Sequence, residues 1–408
     1  VLPDMIIQFV GRAHEGAAAS LLKSLGTLMA IVWQPIAGSI SDRTVTRWGR
    51  RRPFIAAGTA GDVLFLIGIA LSGSYWWLVL FYFLLQFASN TAQAPYQGLL
   101  PDVVPEPQRG VASGYYGLAN LVGIASGTVG AGILLSHFGR SAAIASIVVV
   151  LVVTMLITVL AVPDRAAPVE SQFRGLKELL NTTFRTPLGN RDFLWLMASR
   201  LLIFMGFGGL QNFAFFYFDN VFFHHDRGAT AIATSTLLGL AVGIAALITW
   251  PASRLSDRTG RRPLIVVAGL FGAAGTLVLV FSAYEWVPHA LIAPLAAFLR
   301  LPELAAQATL TGLFIGIGLG MFFSVDWAFI QDIIPAHQGG LYMGFSNIAT
   351  AGAGIIAVFV GGPLLDAFNS GPKLLGLPGG FPVVFGVFVA WFVIGSLSIL
   401  KVPERRTT

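Results

Sequence analysis

The chain has 408 residues, of which 55% are hydrophobic and only 11% charged, with a net charge of +6 and no cysteine. Mean hydropathy is +0.77. Ordinary globular chains carry about 25% charge, so soluble, disordered, coiled-coil and nucleic-acid-binding classes are excluded, and a polytopic helical membrane protein remains.

A membrane-crossing helix needs about 20 apolar residues. In chain order the sequence predicts eleven: 17–41, 53–74, 76–100, 108–135, 141–163, 191–218, 229–253, 263–284, 308–331, 337–361 and 379–401. Residues 1–10 read as the tail of another helix, too short to span. The segment at about 286–305 is apolar but holds Pro288, Pro294, Pro302, Arg300 and Glu303. A span there would invert every later loop, so an extracytoplasmic, interfacial insert is expected.

If the loop at 42–52 is cytoplasmic, 18 of the 25 Lys and Arg fall on that face, five on the other and two inside spans. Lys and Arg accumulate in cytoplasmic loops, so the linker and C-terminus are expected in the cytoplasm; the expected location is a cell (plasma or inner) membrane.

The two halves repeat. Ser41-Asp42-Arg43 leads to Gly49-Arg50-Arg51-Arg52-Pro53, and Ser256-Asp257-Arg258 leads to Gly260-Arg261-Arg262-Pro263. Residues 102–114 (DVVPEPQRGVASG) and 332–344 (DIIPAHQGGLYMG) match at a constant offset, Asp102 on Asp332 and Gly110 on Gly340. The expected organisation is an N-terminal bundle at 1–163, a linker at 164–190 and a C-terminal bundle at 191–408. In the linker, Phe173, Leu176, Leu180 and Phe184 fall at helical spacing, which fits a surface-lying amphipathic helix or a solvated one. Duplicated halves with a midplane site are a transporter architecture.

The two Asp-Arg…Gly-Arg-Arg loops resemble the signature loops of the major facilitator superfamily. The fuller run Trp33-Gln34-Pro35-Ile36-Ala37-Gly38, Ser41-Asp42-Arg43 and Arg47-Trp48-Gly49-Arg50-Arg51-Arg52-Pro53-Phe54-Ile55 is similar to the sucrose–proton symporters among the glycoside–pentoside–hexuronide cation symporters. Asn90, Gln93, Pro95, Leu99 and Leu100 extend the likeness. The resemblance implies an all-α major facilitator fold of twelve helices in two pseudo-symmetric bundles, here eleven and a stub of the first. It implies alternating access around a central sugar site lined by helices one, four, seven and ten. It also implies gating by the loop residues Asp42, Arg43, Arg50, Arg51, Arg52, Asp257, Arg258, Arg261 and Arg262, with Asp102 and Asp332 as partners of Asp42 or as simple helix terminators.

Gln86, Asn90, Gln93 and Gln97 share one face of the fourth helix, since their spacing is 4, 3 and 4. Amides are costly against lipid, so this stripe lines a wet, sugar-binding cavity or bonds other helices. Its repeat mates are Gly316, Gly320, Phe323 and Trp327. The aromatics suit stacking on a pyranose or ordinary core contact; the glycines suit helix packing. Arg200 and Asp62 lie near mid-span, roughly 14 Å from their helix starts at about 1.5 Å per residue, and Asp326 roughly 9 Å in. Arg200 and Asp326 are expected to pair or to serve the cavity.

In the sucrose symporters the fourth helix carries an acid for the coupling proton; Gln86 stands there in this chain. Coupling candidates are then Asp62, Asp326, His14 or an acid on the first helix. The expected partners are a small-molecule sugar and the bilayer, with no nucleic acid, no metal, no resident cofactor beyond a coupling proton, and a monomeric state. An uncoupled facilitator, an exporter of another solute and a non-transporting sensor are the alternatives. No nucleophile–base pair or phosphate loop stands at usable spacing, so an enzyme is least expected.

Overall fold

A computed structural model describes residues 2–11, 15–105, 108–164, 175–223, 226–335, 338–369 and 371–403. The described chain is helical almost throughout. Its elements are α1 (Leu2–Val10), α2 (Glu15–Asp42), α3 (Arg52–Ala70), α4 (Tyr75–Val103), α5 (Arg109–Ala161), α6 (Leu176–Gly189) and α7 (Arg191–Phe218), then α8 (Arg227–Thr259), α9 (Arg261–Val280), α10 (His289–Leu299), α11 (Glu303–Thr309), α12 (Thr311–Ile333), α13 (Gly339–Asn369) and α14 (Gly380–Ser398).

Among the described residues, nine helices are long and apolar enough to cross a membrane. The eleven predicted spans are thus met in part. The two outside the nine are helices in place. One is α4, whose apolar character is diluted by its amide stripe. The other is the first rod of α5, which includes residues whose side chains are not among those described. Gly139, at φ 78° and ψ −179°, breaks α5 into two rods and so separates the predicted spans 108–135 and 141–163. Within 286–305 the chain forms α10, an eleven-residue helix too short to span, and the start of α11.

The helices gather into two compact units. Unit 1 comprises Val1–Glu106, Gly123–Arg191 and Ile333–Ala351; unit 2 comprises Pro107–Val122, Asp192–Asp332 and Gly352–Thr408. Each sequence half therefore contributes the opening turns of one helix, α5 or α13, to the unit built mainly from the other.

In unit 1, α3 lies against α4 through small residues. A Cβ on Gly58 would stand 2.7 Å from the Ala88 carbonyl oxygen. Without a water-driven hydrophobic force inside lipid, such close backbone approach is what holds helices together. Unit 2 is packed with aromatics: Phe381, Phe385, Phe388 and Phe392 of α14 and Tyr217 and Phe218 of α7 are all fully buried. Their rings meet edge-on or tilted, with Tyr217–Phe385 centroids at 5.3 Å and Phe207–Phe392 at 4.8 Å, the arrangement favoured by the ring quadrupole.

Candidate functional site

The segment from Arg43 to Arg52, joining α2 to α3, carries five arginines, and the fold gives three of them carboxylate partners. Arg51 is fully buried and bridges two acids, with Nη2 2.5 Å from Asp42 Oδ1 and Nε 3.0 Å from Asp102 Oδ2. Its Nη1 also donates to Ser41 Oγ at 3.2 Å. Burial works against the Arg51 charge, but the Asp42 and Asp102 carboxylates outweigh it and hold the guanidinium above its ordinary range. Arg50 donates to Asp102 at 2.6 Å. Arg43 reaches Glu178 on α6 at 3.2 Å.

Asp42 does more than pair with Arg51. Its two oxygens accept from the backbone N–H groups of Gly340 and Leu341, at 2.9 and 2.7 Å. These amides belong to the first turn of α13, where intrahelical partners are missing and the helix dipole favours a negative charge. Asp42 therefore caps a helix from the other sequence repeat, within unit 1.

The second loop repeats the arrangement in unit 2. Arg261 bridges Asp257 at 2.5 Å and Asp332 at 3.2 Å, and donates to Ser256 at 2.6 Å. Arg109 adds a second cation to Asp332 at 3.5 Å. Gly110, opening α5, lies so close to the Asp257 carboxylate that a side chain there would overlap it. Asp102 and Asp332 are thus counter-ions of the loop arginines, Asp102 sharing Arg51 with Asp42 and Asp332 sharing Arg261 with Asp257. Arg258 is exposed in the last turn of α8 and Arg262 is half-buried at the start of α9.

One contributor was not singled out from the sequence. Asp164, after the second rod of α5, accepts from the backbone N–H groups of Arg51 and Arg52 at 2.7 and 2.9 Å. It caps α3 from a distance, while Arg52 Nη2 donates to the Val162 carbonyl at 2.7 Å. Gly49, at φ +101°, is required twice over: a side chain would be strained and would overlap Asp164. A repeat signal was available. Val162-Pro163-Asp164-Arg165 returns as Val402-Pro403-Glu404-Arg405, although Arg165, Glu404 and Arg405 lie outside the described residues. Asp164→Ala is expected to lower stability by about 1–2 kcal/mol, as loss of a helix cap does, read as a drop in the thermal midpoint of purified protein. Asp164→Asn keeps an acceptor and is expected to lose less.

The amide stripe of α4 is engaged unevenly. Gln97 is buried and accepts from Asn347 Nδ2 of α13 at 2.7 Å, an interhelical bond. Asn90 is buried and donates back to the Gln86 carbonyl at 2.7 Å. Gln86 donates to Tyr82 Oη at 2.8 Å. Gln93 alone is exposed. The repeat mates differ: Gly316 and Gly320 press on the Ala241 and Ala245 carbonyls of α8 as packing residues.

Further along α12, Asp326 forms an ion pair with Arg200 of α7, each side chain 1% exposed. Trp327 and Phe204 present their faces to the guanidinium at 5.0 and 5.1 Å, a cation–π arrangement. Tyr116 of α5 meets the Trp327 edge at 4.8 Å, and Phe323 meets Phe204 at 6.0 Å. Asp62 on α3 is 5% exposed and its Oδ1 has no partner among the described residues. His14 lies outside the described residues.

This combination of duplicated basic loops, helix-capping carboxylates and charges inside apolar helices defines a membrane transport protein. The family profile of the Major Facilitator Superfamily matches residues 5–358, and the chain belongs to that family. The chain is similar to the sucrose transport protein SUC4 of Arabidopsis thaliana, 24% identical over 98% of this chain and 85% of that one. It is equally similar to the sucrose transport protein SUT1 of Oryza sativa subsp. japonica, 24% identical over 98% and 84%. Solute carrier family 45 member 4 of Homo sapiens is 32% identical over 27% of this chain and 16% of its own length. Two solved structures share the fold. A bacterial homologue of the iron transporter ferroportin in an outward-facing state superposes with a TM-score of 0.69 at 15% identity, covering 98% of this chain and 93% of that one. The human organic anion transporter MFSD10 gives 0.68 at 15%, covering 96% and 88%. The family and these relatives are transporters, not enzymes.

Proposed function

We propose that the protein moves a sucrose- or maltose-like glycoside across the cell membrane by alternating access, as a proton-coupled symporter. It acts as a monomer with eleven full spans, its linker and C-terminus cytoplasmic. The observation that carries the reading is the end-to-end similarity to plant sucrose transport proteins, across 98% of this chain.

The loop geometry supports a two-state cycle. A switch needs contacts that one state makes and the other lacks. The Asp42 cap on α13 and the approach of Asp257 to α5 are contacts of that kind, because each depends on one helix start lying against one carboxylate. A second reading, an uncoupled sugar facilitator, is favoured by one residue: Gln86 cannot titrate.

Uptake of labelled sucrose into proteoliposomes, with and without an inward proton gradient, tests both. Gradient-stimulated accumulation is expected. Uptake indifferent to the gradient would leave the facilitator, and no uptake would remove the sugar.

A further inference from the structure

The proposed cycle needs a titratable group that helix four lacks, and unit 2 holds one with a distinctive bonding pattern. We propose that Asp326 is the acceptor of the coupling proton, and that its protonation hands Arg200 over from carboxylate to sugar. The assignment rests on the symport reading above.

Among the described residues, Arg200 and Asp326 are the only opposite charges in the interior of the unit 2 helices. α12 packs against α5, α7, α8 and α9. From α7 the group facing Asp326 is Arg200. From α5 the titratable side chain nearby is Tyr116, which stands behind Trp327. Residues 228–253 of α8 and 263–280 of α9 carry none. The remaining charges of these helices lie at their ends, where Asp332 already holds Arg261 and Arg109.

A buried ion pair is a poor stabiliser, because desolvating two charges rivals their attraction unless every lone pair is satisfied. This pair leaves one unsatisfied. Asp326 Oδ2 holds Arg200 Nη1, while Oδ1 is enclosed and accepts from nothing among the described residues. A proton from the entry side can add to Oδ1 without first breaking the Arg200 bond. The carboxyl group is then neutral and the Coulombic hold on Arg200 falls. The proton later leaves Oδ1 for the exit side as the ion pair re-forms, and no electrons move.

Arg200 is prepared for release. The Trp327 and Phe204 faces hold its charge without a carboxylate. Its N–H groups are donors only, and the hydroxyl oxygens of a sugar are acceptors that suit them. Binding of proton and sugar then strengthen one another by the same factor, which is the thermodynamic core of symport. Asp62 offers the alternative carboxylate, but no cation or hydrogen-bond donor engages it among the described residues, so its protonation would release nothing.

The test uses the full chain in proteoliposomes with labelled sucrose. For Asp326→Asn, gradient-driven accumulation is expected to fall by about tenfold or more, while sucrose counterflow, which moves no net proton, continues and loses its pH dependence. Asp326→Glu is expected to retain coupling. If Asp326→Asn fails to fold, Asp326→Glu replaces it, and the readout is the pH dependence of sucrose counterflow, expected to shift from that of the wild type; an unshifted profile overturns the assignment. Accumulation at the wild-type level in Asp326→Asn overturns the assignment. So does coupling that is lost in Asp62→Asn but kept in Asp326→Asn. A wild-type protein indifferent to the gradient is a different failure, that of the symport reading itself.

Discussion

Arg51→Met is expected to destabilise unit 1 by about 3–5 kcal/mol, the range seen when one partner of a buried ion pair is removed. The reason lies in what stays behind. Asp42 and Asp102 both lean on this one guanidinium, at 2.5 and 3.0 Å. Arg50 still reaches Asp102, but Asp42 keeps only the two amides of α13 and Ser41 loses its donor. Arg51→Lys is not expected to rescue the protein, because one ammonium cannot serve two carboxylates and a hydroxyl in a fixed fork. Thermal unfolding in detergent reads the effect, and an unchanged midpoint would show that the cluster adds nothing to stability. Transport is expected to be lost in parallel.

The second large effect is steric. A Cβ on Gly38 of α2 would overlap the carbonyl oxygen of Gly340 and lie 2.5 Å from its carbon. These are backbone atoms, so no side-chain rotation relieves the contact and α13 must move away. Gly38→Val is therefore expected to break the bonds from Asp42 to Gly340 and Leu341, each about 1.5–3 kcal/mol as a charge-assisted bond. Ser346, fully buried on α13, reports the change. The chain has no cysteine, so Ser346→Cys gives a single labelling site. Alkylation is expected to be faster in the Gly38→Val background and sucrose transport slower. Equal labelling rates would mean that α13 tolerates the bulk where it stands.

These effects separate what sequence alone reveals from what needs coordinates. The pairing of Arg200 with Asp326 was legible because opposite charges within apolar spans have few ways to be satisfied. The loops were legible through their repetition, but the job of Asp102 was not. Repeat matching places it beside a helix end and says nothing of the arginine it faces. That Asp42 acts through Arg contacts and helix termini was implied by the resemblance; which helix start it caps was hidden, because its partners there are two backbone amides, which no residue type announces. Asp164 was hidden by distance, since it stands 113 positions from the amide of Arg51. The α4 stripe was visible as a polar face, yet only structure distinguishes Gln97, tied to Asn347, from the exposed Gln93.

The composition of the two units has a consequence of its own. Residues 333–351 complete unit 1 and residues 107–122 complete unit 2, so neither sequence repeat owns everything it needs. Each lends the other the helix start that its Asp-Arg loop approaches. A fragment ending in the linker would have Asp42 with no amides to cap, and its counterpart would have Asp257 with no α5 beside it. The chain is in this sense a pair of mutually templating pieces on one thread, and separately expressed pieces would be obligate partners, not independent folding domains.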